Sequence, residues 1–440
     1  MAPPGIGSSS QPYYPETEQV PNRKITVLDG GFATQLSCHV NDPIDGDVLW
    51  SSRFIATNPE AVIKAHLDFL RAGADVIITN TYQSDVDLYA KYLNITRDEA
   101  YNLIKKAVEL AQIAVKRYQE EFPRNPEDGV AERNVAVSTE IPALLERNIV
   151  ATSDEFRAPL GKGNVAERDV AISDEILALL GKNNLADQTS TNDLKNELVQ
   201  SWSKILQEVR PLIAGSVGPY GASLHDGSEY TGSYARTTSA ETMRQWHLPR
   251  IRALIEAGVD MLAIETIPCS LEAEMLVKLL KTECPGMKAW LTFSCSQDGK
   301  SIAVGEDFKE VARRCYSLNP EQLVAVGINC CAPRLVEPLI KGINTMPEAK
   351  TTATERKASG RQDEHTARIP LVVYPNSGEN YDVEVGWIKR DKCEPVEQYV
   401  SKWLDLGVSW IGGCCRTYAT DVAKIRNEVE SWCRKNKEVR

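Results

Sequence analysis

ITVLDGGFATQL, residues 25–36, is the stretch that decides between two folds. Its first half is a short apolar run rich in β-branched side chains, the composition of a buried strand, and it closes at Asp29, Gly30 and Gly31. Seven further runs of the same kind follow: DVIITN (75–80), LIAGSV (212–217), DMLAIE (260–265), AWLTFS (289–294), LVAVGI (323–328), PLVVYP (370–375) and VSWIGG (408–413). Between them, stretches such as PEAVIKAHLDFLRAGA and SLEAEMLVKLLKTE place apolar residues at helical spacing. Each parallel strand needs a helix to cross back, so this alternation builds either an open doubly wound α/β sheet or a closed (β/α)8 TIM barrel. A nucleotide-binding open sheet would carry G-x-G-x-x-G after its first strand, and LDGGFATQL lacks it. The barrel is the expected fold.

It is expected to span residues 24–436, after a Pro-, Ser- and Gly-rich lead-in at 1–23 that reads as disordered. Gly73, Gly258 and Gly407 stand where helices should end before the next strand. Thr96 is a candidate helix N-cap before RDEAYNLIKKAVELAQIAV, which makes the sequon Asn94-Ile95-Thr96 incidental. The alternation breaks down at about 122–195, where AERNVAVSTEIPALLERN (131–148) and AERDVAISDEILALLGKN (166–183) are imperfect copies of one unit. A loosely docked, repeat-containing insertion between the second and third strands is expected there. A charged stretch at 347–368 reads as a second exposed loop.

A net charge of -11 and a pI near 5.2 argue against a general nucleic-acid binder and against a surface drawn to anionic membranes. No run of about 18 apolar residues or secretory signal is evident, so a cytoplasmic protein acting on small molecules is expected. Eleven cysteines, an odd number, fit reduced thiols or a metal better than a disulfide framework.

The unusual residues fall at the C-terminal ends of the expected strands: Asp29 and Gly30, Asn80 and Tyr82, Ser216 and Gly218, Glu265, Cys330, Asn376, then Cys414 and Cys415. In a barrel these ends converge on one mouth. Cys38, Cys269, Cys284, Cys315, Cys393 and Cys433 read as small buried apolar side chains. Cys330, Cys414 and Cys415 would instead meet at the rim, with Cys331 the ambiguous neighbour. Adjacent side chains on a strand point to opposite faces, so Cys414 and Cys415 share a ligand only if the strand ends before them and the chain turns, as Gly412 and Gly413 permit. Three thiolates suit Zn2+ with one position open. On chemistry alone, a metal centre and a redox thiol pair stand as equal readings.

Six separated motifs then carry a resemblance. LDGGFATQL, TNTYQ, GSVGPYGASLHDGSEYTG, AIETIP, GINCC and GGCCRT occur in the order found in the homocysteine S-methyltransferase family, and cover roughly 25–430 apart from the insertions. The resemblance implies a (β/α)8 barrel, a zinc ion held by Cys330, Cys414 and Cys415, and acidic groups at Asp29 and Glu265, with Gly30 beside them, for the amino-acid part of homocysteine. GPYGASLHDGSEYTG together with TNTYQ is similar to the branch using S-methylmethionine or S-adenosylmethionine rather than betaine. Tyr82, Glu229 and Tyr230 are the candidates for donor contacts. His225 stands where that branch carries a small residue, and the repeat array is absent from compact members. The family also implies a monomer or at most a weak homo-oligomer.

The expected activity is direct methyl transfer to homocysteine, giving methionine. Two rivals are a zinc-binding scaffold without turnover and a thiol redox enzyme using Cys414 and Cys415 as a vicinal pair.

Overall fold

The computed structural model describes residues 24–123, 210–345, 368–382, 386–388, 390 and 393–438. Its strands are β1 (Thr26–Val27), β2 (Val76–Ile78), β3 (Leu212–Val217), β4 (Met261–Ile267), β5 (Ala289–Phe293), β6 (Leu323–Asn329), β7 (Leu371–Tyr374), β8 (Asn380–Asp382), β9 (Gly386–Ile388) and β10 (Val408–Ile411). Eight of them pair in the order β1-β10-β7-β6-β5-β4-β3-β2, every neighbour parallel. The two ends of that order meet through a parallel bridge between Leu28 and Val76 and a bond from the Asp75 N–H to the Val27 carbonyl at 2.7 Å, so the sheet curls into a barrel. All eight expected runs lie on these strands. The antiparallel pair β8 and β9 was not expected; its three-residue strands are too short to give a periodic signal.

Burial explains why the strands read as continuous apolar runs: both of their faces are covered. On β5, Ala289, Leu291 and Phe293 join the layer under the helices, whereas Trp290 points into a second apolar cluster, the barrel interior, with Leu28, Val76, Ala263, Val372 and Tyr374. Trp290 Nε1 donates to the Tyr374 hydroxyl at 3.0 Å, and Thr292 Oγ1 lies 2.8 Å from it, so the polar atoms of this interior are satisfied.

The outer layer includes helices Pro59–Arg71, Arg97–Glu121, Ala240–Glu256, Ser270–Glu283, Phe308–Leu318, Glu397–Asp405 and Ala419–Glu438. Thr96 caps the second of these in a capping box: the Glu99 N–H donates to Thr96 Oγ1 at 3.2 Å, and the Thr96 N–H to Glu99 Oε2 at 2.8 Å. Gly73, Gly258 and Gly407 have φ of 93°, 86° and 102°, the left-handed turn expected after a helix. The lead-in, the repeats at 131–183 and all of the 347–368 stretch except Arg368 lie outside the described residues. No helix among the described residues is long and apolar enough to cross a membrane.

One buried group makes the fold sensitive to acid. His66, on Pro59–Arg71, is fully buried against the Phe32 ring, neither ring nitrogen has a partner, and burial pushes its pKa from 6.5 down to about 3. The unfolded chain therefore takes up a proton near pH 6.5 that the folded chain refuses until about pH 3. Stability from this residue is complete above pH 6.5 and falls as pH drops, by about 1.4 kcal/mol per unit. Urea unfolding at pH 7.5 and 5.5 should show His66→Leu losing about 1.4 kcal/mol less than the parent across that interval. Equal losses would contradict this account.

Candidate active site at the barrel mouth

β6 ends at Asn329, and Cys330 turns out of the strand with φ of 50°, its N–H donating to the Tyr374 carbonyl at 3.1 Å. β10 ends at Ile411, so Cys414 and Cys415 lie beyond it, in the turn required for them to face one point. Backbone bonds pin that turn: Gly413 N–H to the Asp29 carbonyl at 2.9 Å, Cys414 N–H to the Pro375 carbonyl at 2.7 Å, and Ser377 N–H to the Cys415 carbonyl at 3.1 Å. Thr417 Oγ1 also donates to the Cys414 carbonyl at 2.6 Å. The packing leaves no room for side chains: a Cβ on Gly413 would stand 2.1 Å from Thr417 Oγ1, and one on Gly31 would stand 2.4 Å from the Cys414 carbonyl oxygen.

The three sulfurs lie within 4.8 Å of one another, with Cys330 Sγ and Cys415 Sγ 3.4 Å apart and no disulfide among them. A tetrahedral ion with zinc–sulfur bonds of about 2.3 Å requires sulfurs about 3.8 Å apart, so this donor set fits zinc in both chemistry and size. Hydrogen bonds from Cys414 and Cys415 hold the Cys330 thiol well below its usual range, while the same hydrogen bonds to Cys330 push both neighbours up, with burial and the negative charge of Cys330 adding to the rise. Cys331 is 4% exposed and belongs to the apolar core, which separates it from the cluster. Cys269, Cys284 and Cys315 are buried as expected. Cys38 is instead exposed, and Cys393 and Cys433 are half-buried, Cys433 packing against the edge of the core.

Two carboxylates face the same mouth. Asp29 Oδ2 accepts the Ile78 N–H at 2.7 Å, whereas its buried Oδ1 has no partner. Burial lifts the Asp29 carboxyl well above the carboxylate range, the Ile78 N–H opposes this, and the negative charge of Glu265 adds to the rise. Burial likewise brings Glu265 up to about 7, against hydrogen bonds from Ser216 and Tyr374. Gly30 packs under Thr417 and Phe69, so its place is in the turn that presents Asp29. Glu265 precedes Thr266, a β-branched residue at φ 62°, a conformation that costs on the order of 1–3 kcal/mol and persists only where the surroundings impose it.

The expected donor residues converge too. The Tyr230 hydroxyl lies 3.8 Å from Cys330 Sγ, Glu229 has a buried Oε2 without a partner, and the negative charges of Glu229 and Cys330 act on the buried Tyr82 hydroxyl. His225, at φ 57°, is exposed. Sequence reasoning missed what holds these segments. The fully buried Arg250 donates to the carbonyls of Thr81 at 3.2 Å, Tyr82 at 2.8 Å and Gly218 at 3.3 Å, clamping the segments after β2 and β3 together. Glu272 Oε1 accepts the Tyr220 N–H at 2.7 Å and lies 2.7 Å from His247 Nε2, and its other oxygen accepts from the Tyr234 hydroxyl. A cation on the apolar stripe of Ala240–Glu256 was the available signal for Arg250. Trp50, at φ 48° with its ring 6.3 Å from that of Tyr82, stands in a segment without periodicity and gave none.

The family model for homocysteine S-methyltransferase matches residues 26–153 and 173–429. A betaine-homocysteine S-methyltransferase from Drosophila melanogaster is 38% identical over 414 residues, covering 93% of this chain and 95% of that one. Homocysteine S-methyltransferase 3 from Arabidopsis thaliana is 33% identical over 406 residues, covering 91% and 88%. Among solved structures, the metallated form of the homocysteine methyltransferase MmuM from Escherichia coli superposes with a TM-score of 0.60 at 27% identity, over 92% of this chain and 96% of that one.

Proposed function

Because the chain belongs to the homocysteine S-methyltransferase family, we propose that it transfers a methyl group from S-methylmethionine or S-adenosylmethionine to the thiol of L-homocysteine, with zinc held by Cys330, Cys414 and Cys415. The observation that carries this reading is the meeting of three sulfurs within 4.8 Å beside a buried carboxylate oxygen, Asp29 Oδ1, that lacks a partner. The chemistry zinc supplies when bound by such ligands is to hold a further sulfur as thiolate at neutral pH, where a free thiol titrating near 8.5 is mostly protonated.

The chain's own residues do the rest. Asp29 and Glu265 receive the ammonium of homocysteine and so fix its sulfur relative to the cysteines. Tyr82, Trp50 and Tyr230 supply aromatic faces for a cationic methyl donor, and the acidic mouth favours its entry. The homocysteine sulfur forms its bond to the methyl carbon as the donor's carbon–sulfur bond breaks. The electron pair of the broken bond stays on the donor sulfur, which leaves as a neutral thioether, so no general acid is needed. Orienting two sulfurs about one carbon is worth up to about 7–11 kcal/mol.

Glu229 favours a sulfonium amino acid as donor. Its buried, unpartnered Oε2 calls for an N–H, which the α-ammonium of S-methylmethionine offers and the fully methylated nitrogen of betaine does not. A site left with an unpaired polar group discriminates strongly, so S-methylmethionine should exceed betaine in kcat/KM by roughly 100-fold or more. The 38% identical relative named for betaine supports betaine as the alternative donor. Zinc-replete protein assayed for methionine with each donor decides: equal or faster turnover with betaine would reverse the donor assignment. Absence of transfer with every donor would leave the scaffold or redox reading.

A further inference from the structure

We infer that Asn329 is a positioning residue that ties the two ends of the acceptor site together, directing the Cys414 sulfur and holding the backbone beside Glu265. The inference rests on the zinc and homocysteine reading above. Asn329 closes β6 and is fully buried. Its Oδ1 accepts the Thr266 N–H at 2.9 Å, and its Nδ2 donates to Thr266 Oγ1 at 2.7 Å. An amide nitrogen carries two hydrogens. Nδ2 also lies 4.0 Å from Cys414 Sγ, at the outer reach of an N–H···S contact.

The neighbours of this amide explain its use. Thr266 follows Glu265 directly and stands at φ 62°, a region that a β-branched residue avoids unless held there. Both of its hydrogen bonds to Asn329 hold it. Cys330 follows Asn329 directly and leaves the strand at φ 50°. One side chain thus meets the acid-bearing end of β4 and a ligand beyond β10, while its own backbone leads into the third ligand. A leucine of similar volume would fill the space but leave the Thr266 N–H buried and unpaired. An N–H directed at a thiolate orients that sulfur and draws charge from it, which sets how strongly it donates to a metal.

The test uses the full chain with zinc, or with Co2+ in its place as a spectroscopic probe. Asn329→Ala should lose metal to a competing chelator with about 10–100-fold weaker affinity and shift the sulfur-to-cobalt charge-transfer band. Its KM for homocysteine should rise about tenfold while the donor KM stays put. Adding Thr266→Gly should restore the homocysteine KM, since glycine adopts φ 62° without a side-chain penalty, but not the metal affinity or the band, because the N–H is still missing. A merely structural role would move stability and both KM values together. Should the alanine variant fail to fold, Asn329→Asp retains the volume and the acceptor for Thr266 and still removes the N–H, so the cobalt band must shift. An unchanged band and chelator affinity in either folded variant overturn the inference. A parent protein that takes up neither metal overturns the zinc reading with it, a result visible before any variant is made.

Discussion

Cys414→Ser should strip the protein of zinc and reduce methyl transfer by about 10³-fold or more. Serine is nearly isosteric, and the backbone bonds that place residue 414, to Pro375 and Thr417, do not involve the sulfur, so the barrel survives. What is lost is a soft anionic ligand, because an alcohol stays protonated where a thiol ionises. Two sulfurs remain, and the acceptor thiol reverts to its own acidity. At pH 7 a thiol titrating near 8.5 is only about 3% ionised, which alone reduces the rate roughly 30-fold. Loss of the fixed sulfur geometry accounts for the remainder. Atomic absorption after dialysis should give near-zero zinc in the variant, and the methionine assay should fall in parallel. A variant without metal that retained full activity would refute the zinc mechanism, and the vicinal thiol reading predicts an activity indifferent to chelators from the start.

The barrel and the site were legible for different reasons. Parallel strands buried on both faces leave apolar runs that stand out from amphipathic helices, so β1–β7 and β10 could be placed from composition and spacing. A barrel gathers strand ends, so Asp29, Glu265, Cys330, Cys414 and Cys415 could be assembled although nearly 400 positions separate the first from the last. Contacts set by tertiary packing alone left no such trace. The left-handed turn at Thr266 depends on Asn329 from another strand, and nothing near residue 266 in the chain announces it. Arg250 acts through its guanidinium on the carbonyls of Thr81 and Tyr82, about 170 residues away. Trp50 reaches Tyr82 from a segment of irregular turns. Most residues that form or face the mouth were readable; Trp50 and the residues that hold the mouth's loops in place were not.

Asp29→Asn should raise the KM for homocysteine roughly 30- to 700-fold, about 2–4 kcal/mol, while zinc content and donor KM stay close to those of the parent. The asparagine carbonyl can still accept the Ile78 N–H, so the end of β2 keeps its anchor. Its amide nitrogen then occupies the position of Oδ1 and presents hydrogens to an ammonium that needs an acceptor. The effect belongs to the substrate's amino group, which a second acceptor can prove: 4-mercaptobutanoate has the thiol and the carboxylate but no amine. The parent should prefer homocysteine strongly, and Asp29→Asn should lose most of that preference because it loses ground only where the amine is present. Equal losses on both acceptors would place the defect in the fold or the metal instead. Glu265→Gln adds a pH signature. Glu265 raises the Asp29 pKa through like charge, so neutralising it should let Asp29 ionise at lower pH. Asp29 must be ionised to hold the ammonium, so homocysteine binding weakens as Asp29 protonates with falling pH, and in Glu265→Gln that weakening should begin at lower pH than in the parent. A limb that stayed in place would mean the two carboxylates do not share the ammonium.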